Sequence, residues 1–335
     1  MTIVFFGELM LRLSQPAREL LLQTPRLEVH VGGAEANVAT GLACLGHATR
    51  LVSAVADNPL GAAAIGELRR RGVDTSTIAV EAGRLGLYFL TPGAGLRPSE
   101  VLYDRAHSVF AERAANAWDW DRALAGAARL HLSGITPALG PNTAAAAIAA
   151  AEAAAARGIP VSFDGNYRAK LWEAWDSDPR AVLTQLIGHA DILFGNHRDV
   201  SLLLGKEFSG DGPDRRREAA EAAFAAFPKL QTIASTARHV VDADSHLVSA
   251  RVDTREGGHE TAETPISGIV DRIGAGDAFA AGVLHGLIES GGEAKAAAEA
   301  GLGLTALKHS LPGDASLFTP ADLAAFAEGA FDVRR

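Results

Sequence analysis

Short apolar runs recur along the chain and alternate with segments of helical pattern. Ile3–Phe6, Leu51–Val55, Leu130–Leu132, Val161–Phe163, Ile192–Phe194 and Thr232–Ala234 are predominantly apolar and lack a strict polar alternation. Runs of that kind predict strands buried on both faces. Between them, Glu35–Leu45 stops at Gly46, Leu60–Arg71 at Gly72, and the alanine-rich Thr143–Arg157 at Gly158. Glycine just past the last helical residue is a stop signal, because it takes the left-handed conformation without a steric cost. The alanine run reads as a packed helix rather than low complexity, since Asn142 and Thr143 open it and Pro160 follows its glycine. This alternation predicts a doubly wound α/β fold: a mostly parallel sheet flanked by helices, with ligands bound at the carboxyl ends of the strands.

Two segments break the alternation. Leu11–Val31 is irregular, with Pro16, Pro25 and the alternating Leu27-Glu28-Val29-His30-Val31. Leu87–Thr91 and Glu100–Asp104 form a second strand-like pair joined by Pro92-Gly93-Ala94-Gly95. Both are read as hairpin material inserted into the α/β frame. Together they can make a small sheet, either an ordinary surface feature or a cover that keeps water from a reactive group.

Composition narrows the class. A chain of 335 residues can bury a large core, with 48% hydrophobic and 21% charged residues, as in ordinary globular proteins. The net charge of −9 argues against a nucleic-acid partner. An acidic chain that handles anions must therefore concentrate arginines locally. A single cysteine, Cys44, excludes an internal disulfide and a cysteine-rich metal site. No apolar run reaches membrane-spanning length and the chain enters a strand pattern at once, so no membrane partner and a cytoplasmic setting are expected.

The richest chemistry lies in Asp271-Arg272-Ile273-Gly274-Ala275-Gly276-Asp277, at the mouth of a long apolar helix. Two glycines let backbone N–H groups approach a ligand, and a helix N-terminus adds unpaired donors and positive potential. A carboxylate beside such an anion pocket would repel phosphate unless it has work to do. Taking a proton from a hydroxyl, while the glycine turn stabilises the transferring group, is that work. Asp277 is thus expected to be the base, with Gly274, Ala275 and Gly276 around the anion; an aspartate helix cap is the bland alternative. A second glycine pair, Gly32-Gly33, also opens a helix, with Asn37 one turn in; taken alone, a tight turn with a structural Asn explains it equally well. Tyr88, Arg97, Tyr103 and Arg105 suit a polyhydroxylated acid as well as they suit cross-strand packing with exposed charges. Asp164-Gly165-Asn166-Tyr167-Arg168 follows an apolar strand, where Arg168 would meet a carboxylate or a phosphate, unless it is a surface residue after an Asx-turn. A dinucleotide fingerprint after the first strand is absent, which disfavours a Rossmann cofactor site.

The stretch Asp271–Gly282, together with Gly32–Ala39, resembles the two signatures of the PfkB (ribokinase-like) family of sugar kinases. Tyr88-Phe89, Arg97-Pro98, Tyr103–Ala106 and Asp164–Trp172 are similar to the 2-keto-3-deoxygluconate kinase branch, and the likeness runs from Gly7-Glu8 to Leu307–Asp314. The resemblance implies ATP and Mg²⁺ as cofactors and an acidic sugar held by Gly33, Asn37, Tyr88, Tyr103, Arg105 and Arg168. It implies an α/β nucleotide-binding core of residues 1–10, 34–84 and 110–335. Residues 11–33 and 85–109 would form a β lid over the sugar, through which subunits can associate. On the nucleotide side it places Asn166, Asn196, Thr236, Arg238, Gly274 and Gly276.

Two departures stand out. Where the family carries Asn-x-x-Glu, this chain has Asn196-His197-Arg198-Asp199, so Asp199 would reach a metal only through water. The usual Lys-x-Gly-x-x-Gly segment is replaced by Ser235–His239, read as a loop whose Thr236 and Arg238 contact phosphates. No direct protein ligand to a metal is expected, because Mg²⁺ arrives held by the nucleotide. A kinase for fructose, ribose or tagatose, and a non-catalytic sugar-binding regulator on the same fold, are the alternatives.

Overall fold

The computed structural model describes residues 1–330 and 332. The apolar runs become neighbouring strands of one sheet. Thr232–Asp242, Ile192–Phe194, Val161–Asp164, Ala127–Ser133, Thr2–Phe6 and Ala48–Ala56 lie side by side in that order, all parallel. The short strands Val73–Asp74 and Ile78–Glu81 extend one edge, and Ser245–Thr254 pairs antiparallel at the other. Phe5, Phe6, Leu51, Leu130, Phe163 and Leu193 are buried, as strands covered by helices on both faces require. Thr2–Phe6 sits centrally: the chain leaves it to one side for Ala48–Ala56 and later returns on the other with Ala127–Ser133. That reversal opens a crevice at the carboxyl ends.

The helices follow their sequence signals within a residue or two. Ala34–Cys44 is followed by Gly46 at φ +91°, and Pro59–Arg70 is capped by Asn58, whose side chain accepts from the N–H groups of Leu60 and Gly61. The alanine-rich helix runs Pro141–Ala156, two residues earlier than read, because Pro141 occupies its first turn, where a missing N–H costs nothing. One expectation fails. Ser235–His239 is no loop but the middle of the strand Thr232–Asp242, paired along its length with Ser245–Thr254. Long cross-strand pairing, invisible to local pattern, decides it.

The two irregular segments form a second, four-stranded sheet in the order Glu28–Gly32, Met10–Ser14, Gly86–Thr91, Glu100–Asp104. Its two middle strands run parallel and its outer ones antiparallel. Met10, Tyr88 and Leu90 form a small buried cluster with Ile273, which joins this sheet to the glycine turn of the main body. No helix among the described residues is long and apolar enough to cross a membrane.

Candidate active site

The central strands end in Gly7-Glu8, Asp164-Gly165-Asn166 and Gly195-Asn196, and the small sheet faces these ends. A cavity of about 1020 Å³ lies between them. A second, of about 510 Å³, adjoins it, and the two share Asn196, Arg198, Thr236, Arg238, Ala275 and Gly276. The glycine turn therefore stands at the junction of two compartments.

Gly274 takes φ +77°, and a Cβ on it would lie 1.6 Å from the Asp314 carbonyl oxygen, so only glycine fits. The helix Ala275–Ser290 follows. Its first bond runs from the Ala278 N–H to the Gly274 carbonyl (2.8 Å), leaving the Gly276 and Asp277 N–H groups without a helical acceptor. Asp277 stands in this first turn, and its Oδ2 accepts from the Asn37 side-chain amide at 2.7 Å. Burial pushes the Asp277 carboxyl up to about 7; the Asn37 hydrogen bond opposes the rise and nearby Asp314 adds to it. Gly33 precedes the Asn37 helix at φ +150°, with the Glu8 carbonyl 2.1 Å from where a Cβ would stand.

A buried ionic cluster holds the turn from behind. Arg12 Nη2 donates to Asp271 Oδ2 at 2.6 Å, and its Nη1 lies 3.0 Å from Asp314 Oδ1. The Tyr88 hydroxyl donates to the other Asp314 oxygen. Asp271 accepts from the Ile273 N–H (2.9 Å) and the Gly313 N–H (3.1 Å), tying both flanking loops to one carboxylate. Lys308, fully buried, sends its Nζ to the Leu311 carbonyl at 3.1 Å and the Asp271 carbonyl at 3.5 Å. Burial opposes the Arg12 charge, but Asp314 and Asp271 outweigh it and hold the guanidinium protonated.

Gly33, Asn37, Tyr88, Tyr103, Arg105, Asn166, Arg168, Asn196, Asp199, Thr236, Arg238 and Gly274–Asp277 all line the larger cavity. Arg97 does not; its guanidinium donates to the Pro92 and Arg18 carbonyls and braces a loop. Arg105 is partly committed: it forms a buried pair with Glu8, whose other oxygen accepts from Ser108 at 2.5 Å, leaving Nη1 without a partner. Asn196 caps the helix His197–Leu204, and Asp199 completes the box by accepting from the Asn196 N–H at 2.8 Å. Asn166 donates to Ser133 Oγ at 3.1 Å. Asp164 is pushed up to about 7 by burial and by Asp277 and Asp199.

Sequence reasoning missed Arg12 and passed over Arg198 and Arg272. Arg168, Arg198, Arg238 and Arg272 all line the cavity, and none forms an ion pair among the described residues. Arginines left without carboxylates in a protein of net charge −9 present a ready surface for anions. Burial, and then the neighbouring Arg272, lower the Arg238 pKa.

Comparison with known proteins agrees with this geometry. The family model described as pfkB family carbohydrate kinase matches residues 2–321. A 2-dehydro-3-deoxygalactonokinase of Haloferax volcanii is 33% identical over 323 residues, covering 95% of this chain and 94% of the relative. The 2-dehydro-3-deoxygluconokinase of Bacillus subtilis is 28% identical, covering 85% and 82%. Among solved structures, the 2-dehydro-3-deoxygluconokinase of Thermotoga maritima superposes with a TM-score of 0.92 at 38% identity, covering 98% of this chain and all of that one.

Proposed function

The chain belongs to the pfkB family of carbohydrate kinases, and from that premise we propose that it phosphorylates the terminal hydroxyl of 2-keto-3-deoxygluconate with ATP. The observation that carries this reading is Asp277, held by Asn37 at the mouth of the glycine turn where the two compartments meet. The sugar lies in the larger compartment under the small sheet, with residues 11–33 and 85–109 as its lid, and the nucleotide lies in the smaller. Arg168 faces the sugar carboxylate, with Arg105 lining the same compartment, and Arg198, Arg238 and Arg272 face phosphates.

In the transfer, Asp277 takes the hydroxyl proton as the sugar oxygen bonds to the γ-phosphorus and the bond to the β-phosphate oxygen breaks, releasing ADP. The N–H groups of Gly276 and Asp277 stabilise the charge on the equatorial oxygens. Tyr88 and Arg12 fix Asp314 and Asp271 and so keep the turn in shape. The half-buried carboxyls of Asp164 and Asp199 line the larger cavity and would hold a nucleotide-borne Mg²⁺ ion through water. When bound, that ion neutralises phosphate charge. The free thiol of the single Cys44 fits a reducing, cytoplasmic setting.

Asp277→Asn tests the mechanism: in an ADP-release assay its kcat should fall by about 10³-fold or more with sugar binding retained. A near-normal kcat would contradict it. The Haloferax volcanii relative favours a second reading, the C4 epimer 2-keto-3-deoxygalactonate. The ratio of kcat/KM for the two epimers decides between them.

A further inference from the structure

Far from the cavity, two imidazoles and a carboxylate converge where two helices of the main body meet. His47 lies in the turn between the helix Ala34–Cys44 and the strand Ala48–Ala56, and His285 and Glu289 lie near the end of Ala275–Ser290. His285 and Glu289 are four residues apart and share one helix face. One ligand atom from each of the three lies within 4.8 Å of the others. Among the described residues, this is the cluster of histidine and carboxylate atoms so arranged. His285 is eight positions beyond Asp277, about 12 Å along the helix axis, so the cluster is separate from the phosphate site.

We propose that His47, His285 and Glu289 bind one divalent transition-metal ion, zinc above all, which clips the two helices together. His47 Nε2 and His285 Nδ1 are 2.8 Å apart and share one proton. A change of tautomer that moves that proton to the donating ring's other nitrogen leaves both rings neutral and both of these nitrogens with a lone pair for one ion. Zn–N bonds of about 2.0–2.1 Å at a tetrahedral angle need nitrogens about 3.3 Å apart, so side-chain rotation of about half an ångström makes room. Both rings are half-buried, and burial holds both neutral near pH 7, the protonation state a metal requires. Glu289 is exposed, which leaves the fourth position to water and makes the ion exchangeable. Imidazole nitrogens suit Zn²⁺, Ni²⁺ and Cu²⁺ and not Mg²⁺, so the Mg²⁺ of the kinase reaction does not compete.

The clip joins the helix that carries Asn37 to the helix that carries Asp277, at the ends opposite those residues. Its expected effect is on stability, through binding to the folded chain alone.

Tag-free protein titrated calorimetrically with Zn²⁺ in the presence of excess Mg²⁺ should bind one ion per chain with a micromolar dissociation constant. The same ion should raise Tm. His47→Ala and His285→Ala should each weaken binding at least tenfold and abolish the Tm rise, with kinase turnover unchanged as the measure of correct folding. Anomalous diffraction at the zinc edge from the wild-type protein gives a readout that needs no variant: the ion should lie between the three side chains. Binding that stays unsaturated to millimolar Zn²⁺, equal binding by the double variant, or an ion located elsewhere would overturn the proposal.

Discussion

Asp277 shows how one side chain's surroundings set its chemistry. Burial disfavours the charge and pushes its carboxyl up to about 7, while the Asn37 amide and, less strongly, the charges of Arg168 and Lys308 oppose the rise. A base must be ionised to accept a proton, so kcat/KM should climb about tenfold per pH unit below 7 and level off above it. Asn37→Ala removes the one hydrogen bond that favours the ionised form, so the rising limb should move to higher pH. A pH–rate profile of the two proteins checks this; superimposable limbs would separate Asp277 from the rate. Asp277, Asn37 and the glycines were legible because each sits in a short, dense motif. The cluster behind them was not. Arg12 meets Asp271 across 259 positions and Tyr88 meets Asp314 across 226, and no local pattern announces partners that far apart. Likewise, Arg105 could be expected in the cavity, but its pairing with Glu8 could not.

At the scale of elements, the turn and the helix start are parts with little tolerance. Gly274→Ala meets both a left-handed backbone and the Asp314 carbonyl, and should lower stability by about 2–4 kcal/mol in a denaturant titration. The start of Ala34–Cys44 is tied down by Glu35, which is buried and accepts from Thr136 Oγ1 at 2.7 Å. Burial pushes the Glu35 carboxyl up to about 8, from its ordinary value of 4.5. Between those values the folded chain holds a proton that the unfolded chain has lost, so this group makes stability fall as pH rises. Its contribution is whole below pH 4.5 and fully lost above about 8. Glu35→Gln, which cannot ionise, should flatten that decline in denaturation midpoints measured from pH 5 to 8. An unchanged slope would place its origin elsewhere. Element identity was largely readable from apolar runs and glycine stops, since both are local. Ser235–His239 was misread because a strand formed by long antiparallel pairing carries no local mark of its partner.

Over the whole molecule, charge is arranged against its average. The chain is acidic, with a net charge of −9, while Arg168, Arg198, Arg238 and Arg272 gather around one cavity, none of them in an ion pair among the described residues. The sheet order creates that cavity at the carboxyl ends, and the second sheet closes its far side. Composition showed that arginines had to be concentrated, and only the fold showed where. Such a site is built for ligands charged at both ends, a sugar acid on one side and a nucleotide on the other. A neutral ketose leaves Arg168 without the carboxylate it would meet, which is how polar sites reject analogues lacking the matching group. The direct measurement is therefore kcat/KM of the wild-type enzyme for 2-keto-3-deoxygluconate, its C4 epimer and fructose, under saturating ATP and Mg²⁺. The account predicts that at least one keto-acid sugar outperforms fructose by about a hundredfold or more. Equal or better turnover of fructose would contradict it.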